Sequence, residues 1–146
     1  MATTNTTATR GGRIVETVSS WPSVESGPHR FDATEFTLDG REIGHIHGGQ
    51  VLDINFPKRM KDHLLANELT GEHRFAGGGW TTYRIDSDEE TDHAVWLCRL
   101  SYLYTLLTMR RKPVGRTILA DLDLGSELDR LDPDPEARAI FERMSS

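Results

Sequence analysis

Apolar residues first recur at helical spacing. In RIVETVSSW, Ile14, Val18 and Trp21 lie on one face of a helix that Pro22 ends. WPSVESGPH follows and reads as a loop. The pattern then turns to alternation. HRFDATEFTLDGREIGHIHGGQVLDINF predicts three strands, broken at Asp39-Gly40 and at Gly48-Gly49. PKRMKDHLLANEL returns to helical spacing, with Pro57 at the helix start and Met60 and Leu64 facing inward. EHRFAGGGWTTYRID holds a glycine-rich loop and a fourth strand from Trp80 to Ile85. Ser87 and Glu90 then form a capping box before the helix DHAVWLCRLSYLYTLLTM, which Pro113 stops. Its apolar positions exceed one stripe, which predicts a largely buried helix. GSELDRL and PEARAIFERM are short helices in a tail around Asp132-Pro133-Asp134-Pro135.

The predicted order is α-β-β-β-α-β-α, plus a C-terminal tail of short helices. Strands grouped between helices argue for an α+β fold, an antiparallel four-stranded sheet with helices on one face. Residues 1–12 read as a disordered arm, 13–112 as a single domain and 113–146 as an extension that packs on the domain or on another subunit.

Strand parity divides the sheet into two faces. A three-residue second turn, Gly48 to Gln50, sets His45 opposite Asp53 and Ile46 opposite Leu52. For the first turn two registers compete. A two-residue Asp39-Gly40 turn pairs Phe36 with Ile43 and sends Phe36 to the histidine face. A three-residue turn through Arg41 pairs Phe36 with Gly44 and Glu35 with His45. The second is preferred because it leaves one face wholly apolar or glycine: Gly44, Ile46, Leu52, Ile54 and Phe56. The other face then collects Glu35, Thr37, His45, His47, Asp53, Asn55, Trp80, Thr82 and Arg84.

Composition narrows the function classes. The net charge is −6, so nucleic acid meets repulsion, and no dense basic stripe offsets it. The one cysteine, Cys98, forms no intrachain disulfide and sits in the buried helix as a packing residue. No apolar run is long enough to span a membrane, and the polar start MATTNTTATRGGR is not a secretory signal, so a cytoplasmic protein is expected. Arg99, inside the apolar helix, requires a carboxylate partner or a route to water.

The polar face supports two chemistries. A His-x-His pair projects two imidazoles together and holds a metal if Asp53 or Glu35 supplies a third ligand. Without a metal, Asp53 beside His45 orients a general base, so His45 and Asp53 are the catalytic candidates. Glu35, His47, Asn55, Trp80 and Arg84 are then substrate-binding candidates, Trp80 as an aromatic wall and Arg84 as a fixed charge. The cofactor stays open, with a metal at His45 and His47 as one alternative. No flavin or nicotinamide motif is present, and AGGGW lacks the features of a phosphate loop. His29 and His73 adjoin strands, so either is placed to join the site. A small molecule is the expected partner, and the tail is a candidate for homo-oligomer contacts. The competing reading is a non-enzymatic protein-interaction module that uses the same face.

WPSV, HRF, EFTLDGREIGHIHG, VLDINFP, GGW, YRI and LCRLSY together resemble the luciferase-domain family of small bacterial and archaeal proteins. The likeness runs from about Trp21 to Tyr104, and Arg-Glu-Ile-Gly-His-Ile-His is its most specific part. That family shares its domain name with the fungal luciferase, which oxidises a hydroxylated pyrone with oxygen. The resemblance implies oxidation that is cofactor-free or metal-assisted. Family likeness does not by itself fix function, which lives in the site.

Overall fold

The computed structural model describes residues 9–29, 33–73 and 77–145. The class is α+β, as the pattern predicts. Among the described residues, six helices accompany one antiparallel sheet: α1 (Arg10–Ser19), β1 (Val24–His29), β2 (Ala33–Leu38), β3 (Arg41–His47), β4 (Val51–Asn55), α2 (Lys58–Ala66), β5 (Gly71–Glu72), β6 (Trp80–Arg84), α3 (Asp88–Thr108), α4 (Pro113–Asp121), α5 (Leu124–Leu131) and α6 (Pro135–Ser145).

The sheet has six strands in the order β1-β2-β3-β4-β6-β5, where four were expected. The two added strands lie at its edges. β1 occupies the stretch read as a loop, and its Gly27 and Pro28 weaken the strand signal. Pro28 is tolerated because an edge strand needs fewer donors. β5 is two residues long and pairs Gly71 with Thr82 and Glu72 with Thr81. At the N-terminus, α1 begins at Arg10, so the last three residues of the expected arm are helical, and Thr9 caps them by accepting from the Gly12 amide. Residues 1–8 lie outside the described residues. Pro113 stops α3 as expected but also opens α4 at its first turn, a helix the periodicity did not reveal.

The first hairpin combines both competing registers. Asp39 and Gly40 both have positive φ, 51° and 82°, and form a two-residue turn in which Leu38 faces Arg41. The register then shifts between Phe36 and Thr37, so Phe36 faces Gly44 and Glu35 faces His45. Ile43 is the extra residue of a β-bulge. It and Gly44 are both buried, while Glu42 shares the face of His45.

The core lies between the sheet and the helices. Phe36, Ile43, Ile46, Leu52, Ile54 and Phe56 meet Ile14 and Val18 of α1 and Leu97, Leu103 and Leu106 of α3 in one buried cluster. The Ser101 hydroxyl, 2.6 Å from the Asn55 carbonyl, ties α3 to the end of β4. The tail is part of this core: Ile118, Leu128, Ala137, Ile140 and Phe141 join the same cluster. Arg99 finds its carboxylate in Glu127 of α5, and its guanidinium stacks on Trp21 and Tyr102.

Candidate functional site

Rows of side chains cross the face opposite the core. One row runs Glu35 (β2), His45 (β3), Asp53 (β4) and Thr82 (β6) through consecutive paired positions. Beside it, Asn55 faces Trp80, and on the other side His47 faces Val51, which faces Arg84. The register thus sets His45, Asp53, Glu35, His47, Asn55, Trp80 and Arg84 on one face. Contact is tightest around Asp53. Arg84 lies at the exposed end of β6 and Glu35 is half-buried on β2.

Asp53 is the hub, 6 % exposed. Its Oδ2 lies 3.0 Å from His45 Nε2 and 3.0 Å from His47 Nε2. Its Oδ1 accepts from the Thr82 hydroxyl at 2.6 Å. His73, just past β5, brings a third imidazole, with Nε2 3.5 Å from the same Oδ2. On the far side of His45, Nδ1 pairs with the Glu42 carboxylate. The His45 and His47 rings meet edge to face at 4.7 Å, and Trp80 lies 5.6 Å from His45 and 6.4 Å from His73.

These contacts set the charges. Burial alone would depress the His45 imidazole, but hydrogen bonds to Asp53 and Glu42, with their negative charges, push its pKa up to about 9. Burial alone would raise the Asp53 carboxyl. Hydrogen bonds from His45, Thr82 and His47, and the charge of His73, instead hold it well below the usual carboxylate range. At neutral pH the His45–Asp53 pair is therefore an imidazolium against a carboxylate. Both His45 nitrogens face acceptors, so His45 has no lone pair with which to act as a base in this state.

The donor set suits a metal ion. His45, His47 and Asp53 each present one ligand atom, all within 4.8 Å of one another. Two imidazoles and one carboxylate match a set used for first-row divalent metals with open positions. Each buried ligand also has an outer partner that fixes its orientation, Glu42 for His45 and Thr82 for Asp53.

Two participants escaped strand parity. Glu42 reaches the face only because of the bulge at Ile43, and His73 follows a strand too short to carry alternation. The signal for His73 was its place beside a strand. His29 ends β1, and its side chain lies outside the described residues. Burial raises the thiol of Cys98 to about 12, consistent with packing rather than reactivity. A cleft of about 1070 Å³ opens elsewhere, between the first turn of α1 and the β3–β4 turn, lined by Arg10, Arg13, Gly49 and Gln50 among others. It contains none of the converging donors, and donor geometry locates the chemistry better than cleft size. Among the described residues, no helix is long and apolar enough to cross a membrane.

No curated protein and no solved structure matches the chain. The family comparison does find a match, and it bears out the resemblance carried by the His-x-His strand: residues 40–101, from the β2–β3 turn into α3, are similar to the luciferase-domain family.

Proposed function

We propose that this protein is a metal-dependent small-molecule enzyme or binding protein whose centre is His45, His47 and Asp53. The convergence of the two Nε2 atoms on one Asp53 oxygen, with Glu42 and Thr82 behind them, carries the reading. His45, His47 and Asp53 would hold a divalent ion, His45 giving up its Nε2 proton to do so, and three protein donors would leave room for an oxygen-donor ligand. Trp80 stands beside that space as an aromatic wall, and Glu35, Asn55 and Arg84 edge the same face. The luciferase-domain match supports oxidation of a small molecule, with dioxygen as the oxidant, as the reaction class, and the metal part of the reading rests on the donor set. A cofactor-free base mechanism is less well supported, because His45 is held protonated with both nitrogens engaged. A purely protein-binding face offers no reason for imidazoles aimed inward at a buried carboxylate.

The test is metal content and affinity in protein purified without a histidine tag. Wild-type protein is expected to bind about one equivalent of iron, cobalt or zinc, and the His45→Ala/His47→Ala variant none. Folded wild-type protein that takes up none of these ions would sink the reading.

A further inference from the structure

We propose that the cleft between α1 and the sheet binds an elongated small carboxylate that carries a second hydrogen-bonding group at its far end. The cleft, about 1070 Å³, is large enough for a small molecule and lies across the sheet from the histidines. Ile46 lines it. That residue stands between His45 and His47 on β3, so its side chain points away from theirs. This site is therefore independent of the metal reading.

The cleft is polarised along α1. Arg10 and Arg13 stand at its start and Ser19 at its end, a rise of about 13 Å along the helix axis. Val15, Ile46 and Ile85 give it an apolar lining. At the cationic end, Arg10 Nε and Arg13 Nη2 donate to the same Asp88 oxygen, at 3.2 and 2.9 Å. The Asp88 side chain is 77 % exposed, so this pairing is weak. A guanidinium carries five N–H donors. Among the described residues each of these two gives one to a carboxylate, so both forks have donors left for a second planar anion. Asp88 and Glu16, which also line the cleft, oppose a dianion such as a phosphate monoester, and Glu16 confines the single acid to the arginine end.

The far end holds an unmet polar atom. The Ser19 hydroxyl oxygen is buried and has no hydrogen-bond partner among the described residues. A serine on a helix can satisfy itself on the preceding turn. Ser20 does so, donating to the Thr17 carbonyl at 2.6 Å, and Ser19 does not. Buried polar atoms are paired in native folds, so an orphan at a cleft marks where a partner belongs. Thr34 of β2 brings a second hydroxyl to the same cleft. A ligand hydroxyl or carbonyl meets this end while its carboxylate meets the arginines.

NMR titration of the full-length protein with ω-hydroxyoctanoate, octanoate and octanediol tests this. Amide shifts are expected at Arg13, Ser19 and Gly49 and not at His47 or Trp80. Affinity is expected to fall about threefold to tenfold from the hydroxy acid to octanoate, and by about tenfold or more from the hydroxy acid to the diol. Ser19→Ala removes an unpaired hydroxyl, so it should fold as well as wild type and bind the two acids alike. Arg10→Gln/Arg13→Gln should abolish the preference for acids over the diol. Absence of shifts along the cleft, shifts at His47 and Trp80 in their place, equal affinity for the diol, or an acid preference that survives Arg10→Gln/Arg13→Gln would overturn the proposal. A preference for the hydroxy acid that survives Ser19→Ala would overturn the role of the far end.

Discussion

Metal affinity should climb with pH well past neutrality. In the metal-free protein His45 is held protonated up to about pH 9, and a metal takes the lone pair that this proton occupies. Binding at His45 therefore releases one proton at any pH below about 9, and affinity rises about tenfold per pH unit toward that value. At pH 7 the centre sits two units below it, so affinity there should be about 100-fold short of the plateau. An ordinary imidazole, with a pKa near 6.5, would leave the profile flat above about pH 7.5. Stability of the metal-free fold runs the other way. A raised folded-state pKa stabilises fully below about 6.5, and the contribution is lost as pH rises through about 9. Asp53, with its pKa lowered, contributes above its ordinary value near 4 and loses that contribution as pH falls. The assay is chelator-competition titration between pH 6 and 10, with proton release counted in buffers of different ionisation enthalpy. An affinity that levels off near pH 7, with no proton released at pH 8, would refute the reasoning.

Three substitutions probe the supports of the site. Glu42→Gln should bring the affinity plateau to lower pH and drop its height by about 10–100-fold, because His45 loses both an anion and an orienting partner; an unchanged pH profile would count against that role. Gly44→Ala places a Cβ 2.5 Å from the Asp53 carbonyl oxygen and 3.4 Å from Ile54 Cα, so β3 and β4 must separate beside the site. It should cost about 1–3 kcal/mol in urea unfolding and weaken metal binding as well. Glu127→Gln removes the carboxylate of a largely buried ion pair and leaves Arg99 stacked on Trp21 and Tyr102 without it. It should cost about 3 kcal/mol, the low end for breaking such pairs given that the Arg99 side chain is 18 % exposed, with metal affinity unchanged. A milder melt would mean that α5 holds to α3 by its apolar residues alone.

The histidine face was legible because parity is a strict constraint: once Leu52, Ile54 and Phe56 pointed to the core, Asp53 and Asn55 had to point away. The pairing of His45 with Asp53 followed from the length of the Gly48–Gly49 turn. What escaped was local irregularity. Asp39-Gly40 gave a correct two-residue turn signal, and the facing set gave a correct register for Glu35. The two conflicted only because a bulge, which leaves no mark in a period-2 pattern, sits between them. β1 and β5 were hidden for a related reason. β1 is mostly polar and broken by Gly27 and Pro28, and β5 is only two residues long, so neither shows the alternation of a strand with one face in the core. The partner of Arg99 lay out of reach because Glu127 is 28 residues away and the contact depends on how the tail folds back.

Stability alone does not account for a charged cluster in the sheet. Replacing a buried ion pair by apolar side chains of similar volume is often neutral or stabilising. Apart from Gly44, the chain does use apolar residues at the other buried positions of these two strands, Ile43, Ile46, Leu52 and Ile54. At His45 and Asp53 it instead buries an imidazolium and a carboxylate, 8 % and 6 % exposed, and supports each from a different direction. Glu42 comes from the bulge, Thr82 from β6 and His73 from beyond β5. Supports drawn from separate backbone segments fix the donor atoms before any ligand arrives, which is what a binding centre requires of its scaffold. On this argument the bulge at Ile43 and the two-residue β5 are parts of the site: each is a departure from regular sheet that delivers one side chain to Asp53 or its partner.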